Sequence, residues 1–230
     1  MSDTEKVREE QEEKTSLAMS RFWTGFGEKW RYMWYTVSHP MDGYYWIRHA
    51  ERGSVILAIV MIMLFSFSFS ANRLVASFVV NDLDPRGIDS LDELVAVLVF
   101  FLILSVSNWS ITCLMEGEGR LKDIVIALGY GTVPITVMLV AATIVSQAVA
   151  DNERAFYYIM IAAGIAYGVI MMIVGIMQVH NYTFGKTVLT LFLTVVALLI
   201  IIFLILLLYN MLNMVYLFFY SIYTELYFRL

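Results

Sequence analysis

The sequence predicts an all-α integral membrane protein: a bundle of five transmembrane helices with N-terminal and C-terminal interfacial helices. Three observations predict it. Of 230 residues, 60% are hydrophobic and 15% charged, against about 45–50% and about 25% in soluble domains. Five windows carry no Asp, Glu, Lys or Arg at all: 53–72, 94–115, 124–150, 155–179 and 187–224. Only three prolines interrupt the chain, which favours long helices because each interior proline removes a backbone hydrogen bond.

The elements follow in order. Residues 1–16 hold most of the acidic excess and read as a solvated charged tail. Residues 17–52 form an amphipathic, aromatic segment, with Met19, Phe22, Phe26, Trp30 and Met33 on one helical face and Arg21, Glu28 and Arg31 mostly opposite. That pattern suits a helix lying on the membrane surface. His39-Pro40-Met41-Asp42-Gly43 reads as a turn before the membrane domain of 53–230. About 20 apolar residues cross ~30 Å of hydrocarbon, so the first four windows supply one span each, at about 54–72, 94–115, 124–149 and 155–179. In the first, Phe65-Ser66-Phe67-Ser68-Phe69-Ser70 alternates like a strand but lies inside a longer apolar run, so helix is expected. The fifth window of 38 residues would run about 57 Å as a helix. It is read as a span over 187–209 followed by an interfacial tail over 210–230. Tyr209, Tyr216, Tyr220, Tyr223 and Tyr227 suit the headgroup level.

Charge placement sets the expected orientation. With the N-terminus cytoplasmic, the inner side holds eleven Lys and Arg and the outer side four: Arg73, Arg86, Arg154 and Arg229. The C-terminus then lies outside. The first apolar run begins after about 52 residues, too late for a secretory leader. No basic excess points to nucleic acid, and one cysteine supports neither a disulfide framework nor a cysteine zinc site. Cys113 itself is expected to be a small buried residue near the inner end of the second span.

Several groups could carry chemistry, and each has a plainer reading. Asp82, Asp84, Gly87 and Glu93 match part of a calcium loop, but Arg86 stands at a ligand position and Pro85 stiffens the segment. Asp89, Ser90, Asp92 and Glu93 suit a helix start instead. Ser105, Asn108, Thr112 and Glu116 share one face of the second span, as a polar path facing a kink at Pro134 or as ties between helices. Gly129-Tyr130-Gly131 and Pro134 make the third span irregular, for packing or around a substrate. Gly164, Gly168 and Gly175 share a face of the fourth span and favour close helix approach. His180 closes that span as an interface anchor. No nucleophile–base pair, metal-ligand set or phosphate-cradling loop is visible, so no catalytic residue, metal or cofactor is expected.

Taken together, Glu116-Gly117-Glu118-Gly119-Arg120-Leu121-Lys122-Asp123, Ala127-Leu128-Gly129-Tyr130, Val133-Pro134 and His180-Asn181-Tyr182-Thr183-Phe184-Gly185-Lys186 resemble the bacterial branch of the Yip family, the Ypt-interacting proteins. His39-Pro40-Met41-Asp42-Gly43 and Arg52-Gly53-Ser54 are similar as well, and the resemblance covers about 37–230. The Asp-Leu-Tyr-Gly-Pro motif of eukaryotic members does not occur here, so small-GTPase binding is not carried over. The resemblance implies a bacterial inner-membrane protein without catalysis, an accessory to a complex such as an ABC-type transport system. Three roles follow in order: a scaffold associating with another membrane protein or itself, a small transporter or channel, and a membrane-shaping protein.

Overall fold

The computed structural model describes residues 25–81 and 87–229. The charged tail, the start of the amphipathic segment, and Asp82 and Asp84 of the calcium-like loop lie outside the described residues. The rest is helical, with no strand among the described residues: α1 over 25–38, α2 Pro40–Ala50, α3 Val55–Val75, α4 Ser90–Leu114, α5 Leu121–Ser146, α6 Arg154–His180 and α7 Phe184–Arg229. A short 3-10 turn, Asp151–Glu153, precedes α6. Helices α3 to α7 are each long and apolar enough to cross a membrane.

Local chemistry explains most of the boundaries. The expected turn at 39–43 shrinks to His39, because Pro40 opens α2, where its missing N–H would have no partner anyway. Glu51 ends α2 in the left-handed region at φ 50°. Ser54 starts α3, its hydroxyl accepting from the Leu57 amide at 3.4 Å. Asp89 starts α4, accepting from Leu91 and Asp92 at 2.9 and 3.3 Å, as the acidic run there predicts. Asn181, at φ 54°, ends α6. The Phe-Ser alternation lies in α3, with Ser66, Ser68 and Ser70 buried and Phe67 exposed.

The layering is asymmetric. In α5, 67% of the apolar window is buried; in α7 only 6% is. Helix α5 is therefore the axis, wedged between α3 and α6. Helices α1 and α2 form a hairpin across one end of the bundle, with Met33, Tyr44 and Ile47 buried in the core. Helix α4 rests on α3 and α5 and carries α7 on its outer side.

Helix α7 differs from the expectation. The tail over 210–229 is helical, but no bend separates it from the fifth span, and Phe184–Arg229 is one helix of 46 residues. The physical reason is the absence of any Gly or Pro after Gly185, so nothing interrupts the amide ladder. At 1.5 Å per residue it is about 69 Å long, more than twice the ~30 Å of hydrocarbon.

Candidate functional site

Among the described residues, three groups of polar atoms inside the bundle tie helices together. The first lies between α4 and α7. Ser105, Asn108 and Thr112 are buried, and so are Thr187, Thr190 and Thr194 on α7. The Asn108 amide donates to Thr194 Oγ1 at 3.0 Å. The polar stripe of α4 thus meets α7 at Asn108. Glu116 leaves the stripe: it is exposed, in the left-handed region at φ 56°. Sequence reasoning missed the α7 partner, although Thr183, Thr187, Thr190 and Thr194 recur at helical spacing. Cys113, expected to be buried, is exposed, because the turn that buries Thr112 points its neighbour outward.

The second group lies at the far end from the hairpin. Asn72 on α3 donates to Thr143 on α5 at 2.7 Å and accepts from the Tyr157 hydroxyl on α6 at 2.9 Å. One side chain therefore joins three helices. Glu93 takes Arg73 and the Ser70 hydroxyl, so it is a partner for α3 and not a spare loop carboxylate. Asn72 was not singled out from sequence, since it ends an apolar window and has no motif around it.

The third group lies at the hairpin end. Buried His180 accepts at Nδ1 from the Gly119 amide at 3.1 Å and stacks on Tyr182. His180 is thus buried at the end of α6, against the loop between α4 and α5. An accepting Nδ1 puts the proton of a neutral ring on Nε2. The Tyr182 hydroxyl reaches the carbonyls of Thr112 and Met115 at 3.4 and 3.1 Å. Arg48 on α2 reaches the carbonyl of Glu118 at 2.8 Å. The loop between α4 and α5 is thereby held by α2 and by the end of α6. Buried Asp123 pairs with Arg120 at 2.9 Å. Glu51 takes Arg120 at 2.7 Å and Lys122 at 3.0 Å. Hydrogen bonds from Lys122 and Arg120 hold its carboxyl at about 2.

The glycines singled out from sequence sit where helices touch most closely. Gly129 faces α3: a Cβ there would lie 2.6 Å from Ala58 Cβ and 2.7 Å from its carbonyl oxygen. Gly131 and Gly168 face each other across α5 and α6, with 2.8 Å between a Cβ on Gly168 and the Gly131 carbonyl. Gly164 packs on Met138, and Gly175 on Ala127 and Tyr44. Tyr130 is fully buried, its hydroxyl accepting from the Ser54 amide at 3.2 Å. Pro134 lies inside α5, with its carbonyl beside Gly164. Without a hydrophobic drive between helices in lipid, such close approach and shared polar ties are what hold a bundle together.

The chemistry available to these groups is that of fastening. The hydroxyls of Ser105, Thr136, Thr187, Thr190 and Thr194 each donate to the carbonyl one turn back in their own helix. Among the described residues, no three of His, Cys, Asp and Glu gather as a metal site.

No curated protein and no solved structure significantly matches the chain. The buried Gly129-Tyr130-Gly131-Thr132 segment, the His180 loop, α3 to α6 and most of α7 fall within residues 34–223, which match the family model of the Yip1 domain, and the chain belongs to that family of multi-pass membrane proteins.

Proposed function

We propose that this protein is a non-enzymatic scaffold or accessory subunit, belonging to the bacterial branch of its family and working in the inner membrane with its N-terminus cytoplasmic and its C-terminus outside. Helix α7 is the observation that carries the reading. Its first half is fastened to α4 by a threonine seam, while its second half extends past the bundle with Leu208, Tyr216, Phe219 and Tyr223 all exposed. Asn210, Asn213, Ser221 and Thr224 fall within an arc of about 90° at 100° per residue. Amide and hydroxyl groups on an apolar helix favour association with another helix. The interior supports the same reading, since the hydroxyls of Ser105, Thr136, Thr187, Thr190 and Thr194 are already bonded to their own helices. The resemblance of the glycine and histidine segments to bacterial relatives favours a transport system of the ABC type as the partner.

Purification from the native membrane in mild detergent tests this. The expected result is a particle well above the 26.4 kDa of one chain, containing a second membrane protein or further copies. A lone monomer at every detergent concentration contradicts it.

A second reading, a small transporter or channel, is favoured by one observation: the buried Asn108 Oδ1 has no hydrogen-bond partner. Replacing Thr112 by cysteine in a Cys113→Ser background tests it. Reaction with a water-soluble thiol reagent supports a polar path; inertness contradicts one.

A further inference from the structure

A cleft of about 670 Å³ opens between α1 and the linker that joins α2 to α3. Its size falls in the range of small-ligand sites. Tyr32 and Tyr35 of α1 and Trp46 of α2 supply aromatic walls. The Arg52 guanidinium sits 5.7 Å from the ring centroids of both Tyr32 and Trp46. Arg31 lines the same space. Neither arginine has an ion pair among the described residues.

The other charged residues that line the cleft are Glu28, Lys29 and Glu51. Glu51 faces Arg120 and Lys122 on the loop side. Lys29 donates to the carbonyls of Glu51 and Gly53 at 2.6 and 3.0 Å, pinning α1 to the linker. Glu28 lines the cleft beside Lys29. The Arg52 guanidinium lies over two aromatic rings, and Arg31 lines the same cleft, a combination suited to the oxygens of a phosphate ester. The setting narrows the source. Trp30, Trp34 and Tyr45 are exposed on the same hairpin, and such rings settle at the depth of lipid headgroups.

We propose that this cleft binds the phosphate of an anionic phospholipid headgroup, with Arg31 and Arg52 as its two ligands. The hairpin is then clamped to the bilayer by a bound lipid in addition to its aromatic rings, and the site goes beyond the scaffold role, needing no protein partner. Basic pockets at helix junctions recognise anionic headgroups by this chemistry.

Native mass spectrometry of the full chain in mild detergent, with added phosphatidylglycerol or phosphatidylcholine, tests the site. The wild type is expected to retain phosphatidylglycerol about tenfold more strongly than phosphatidylcholine, and Arg31→Gln with Arg52→Gln to erase the difference. Arg154→Gln, which removes a distant arginine paired to Asp151, is expected to leave it intact. Arg31→Gln alone, which breaks no contact within the described residues, keeps the test valid if the double variant unfolds; it must still reduce the preference severalfold. Equal retention of both lipids, or an unchanged preference in Arg31→Gln, overturns the proposal. Displacement of the lipid by millimolar inorganic phosphate also overturns it, because a free anion would then be the ligand.

Discussion

Single atoms decide how tightly the bundle closes. Gly129 allows α5 to touch the Ala58 backbone, where a methyl group would come within 2.6–2.8 Å. Overpacking at such a point costs about 1–3 kcal/mol. Gly129→Ala should therefore lower the unfolding temperature in detergent, while Gly185→Ala, with nothing within 4 Å, should not. Asn72 and Asn108 separate two kinds of buried amide. Asn72 makes two bonds to two other helices; Asn108 makes one and leaves its oxygen unpartnered. With interhelical bonds in membranes averaging about 0.6 kcal/mol and reaching about 1.7, Asn72→Leu should cost about 1–3 kcal/mol and Asn108→Leu close to nothing. Thermal or denaturant unfolding in detergent checks the ranking, and the reverse order would contradict it. Glu51 gives a pH dependence. Its carboxyl is held at about 2, below the ordinary 4.5, so its contribution is fully present above 4.5 and is lost as pH falls toward 2. Tryptophan emission from the α1–α2 hairpin should stay flat from pH 7 to about 4.5 and change below it. Glu51→Gln should remove that change.

At the scale of elements, α7 is the one that departs from its neighbours. Helices α3 to α6 are 21 to 27 residues long, close to what one crossing needs, whereas α7 has 46. Leu208, Tyr216, Phe219 and Tyr223 of its second half are exposed, so deleting 210–230 should leave the helical fold and its unfolding temperature nearly unchanged. The same deletion should shrink the particle recovered from native membranes. Circular dichroism and light scattering measure the two effects separately. A collapse of the fold on deletion would place the tail in the core, against its exposure. The hairpin of α1 and α2 behaves oppositely. It is short, yet Met33, Tyr44 and Ile47 are buried and the Tyr44 hydroxyl reaches the Ala127 carbonyl at 3.2 Å. Its removal should destabilise the whole bundle.

The whole molecule shows which features a sequence exposes. Charge-free windows mark α3 to α6 within a few residues, because a charge in hydrocarbon is so costly that its absence is a direct record of the solvent. The glycines of α5 and α6 were visible as well, since close approach demands small residues at fixed spacing. The pairing of α4 with α7 was hidden: Ser105, Asn108 and Thr112 declare a polar face, but only three-dimensional placement shows that it meets Thr187, Thr190 and Thr194. Asn72 was silent for the same reason, its two partners lying 71 and 85 residues away. The α2 helix was read as a turn because Pro40 and Gly43 look like punctuation, although proline fits a first turn well. The length of α7 was legible in the missing glycine and proline, and was divided only because one crossing needs about half of it. The proposed topology of five crossings puts the two ends of the chain on opposite faces of the membrane, and paired reporter fusions at the N-terminus and after the last residue measure this most directly. The account predicts cytoplasmic fluorescence from the first fusion and external phosphatase activity from the second; both reporters active on one face would contradict it.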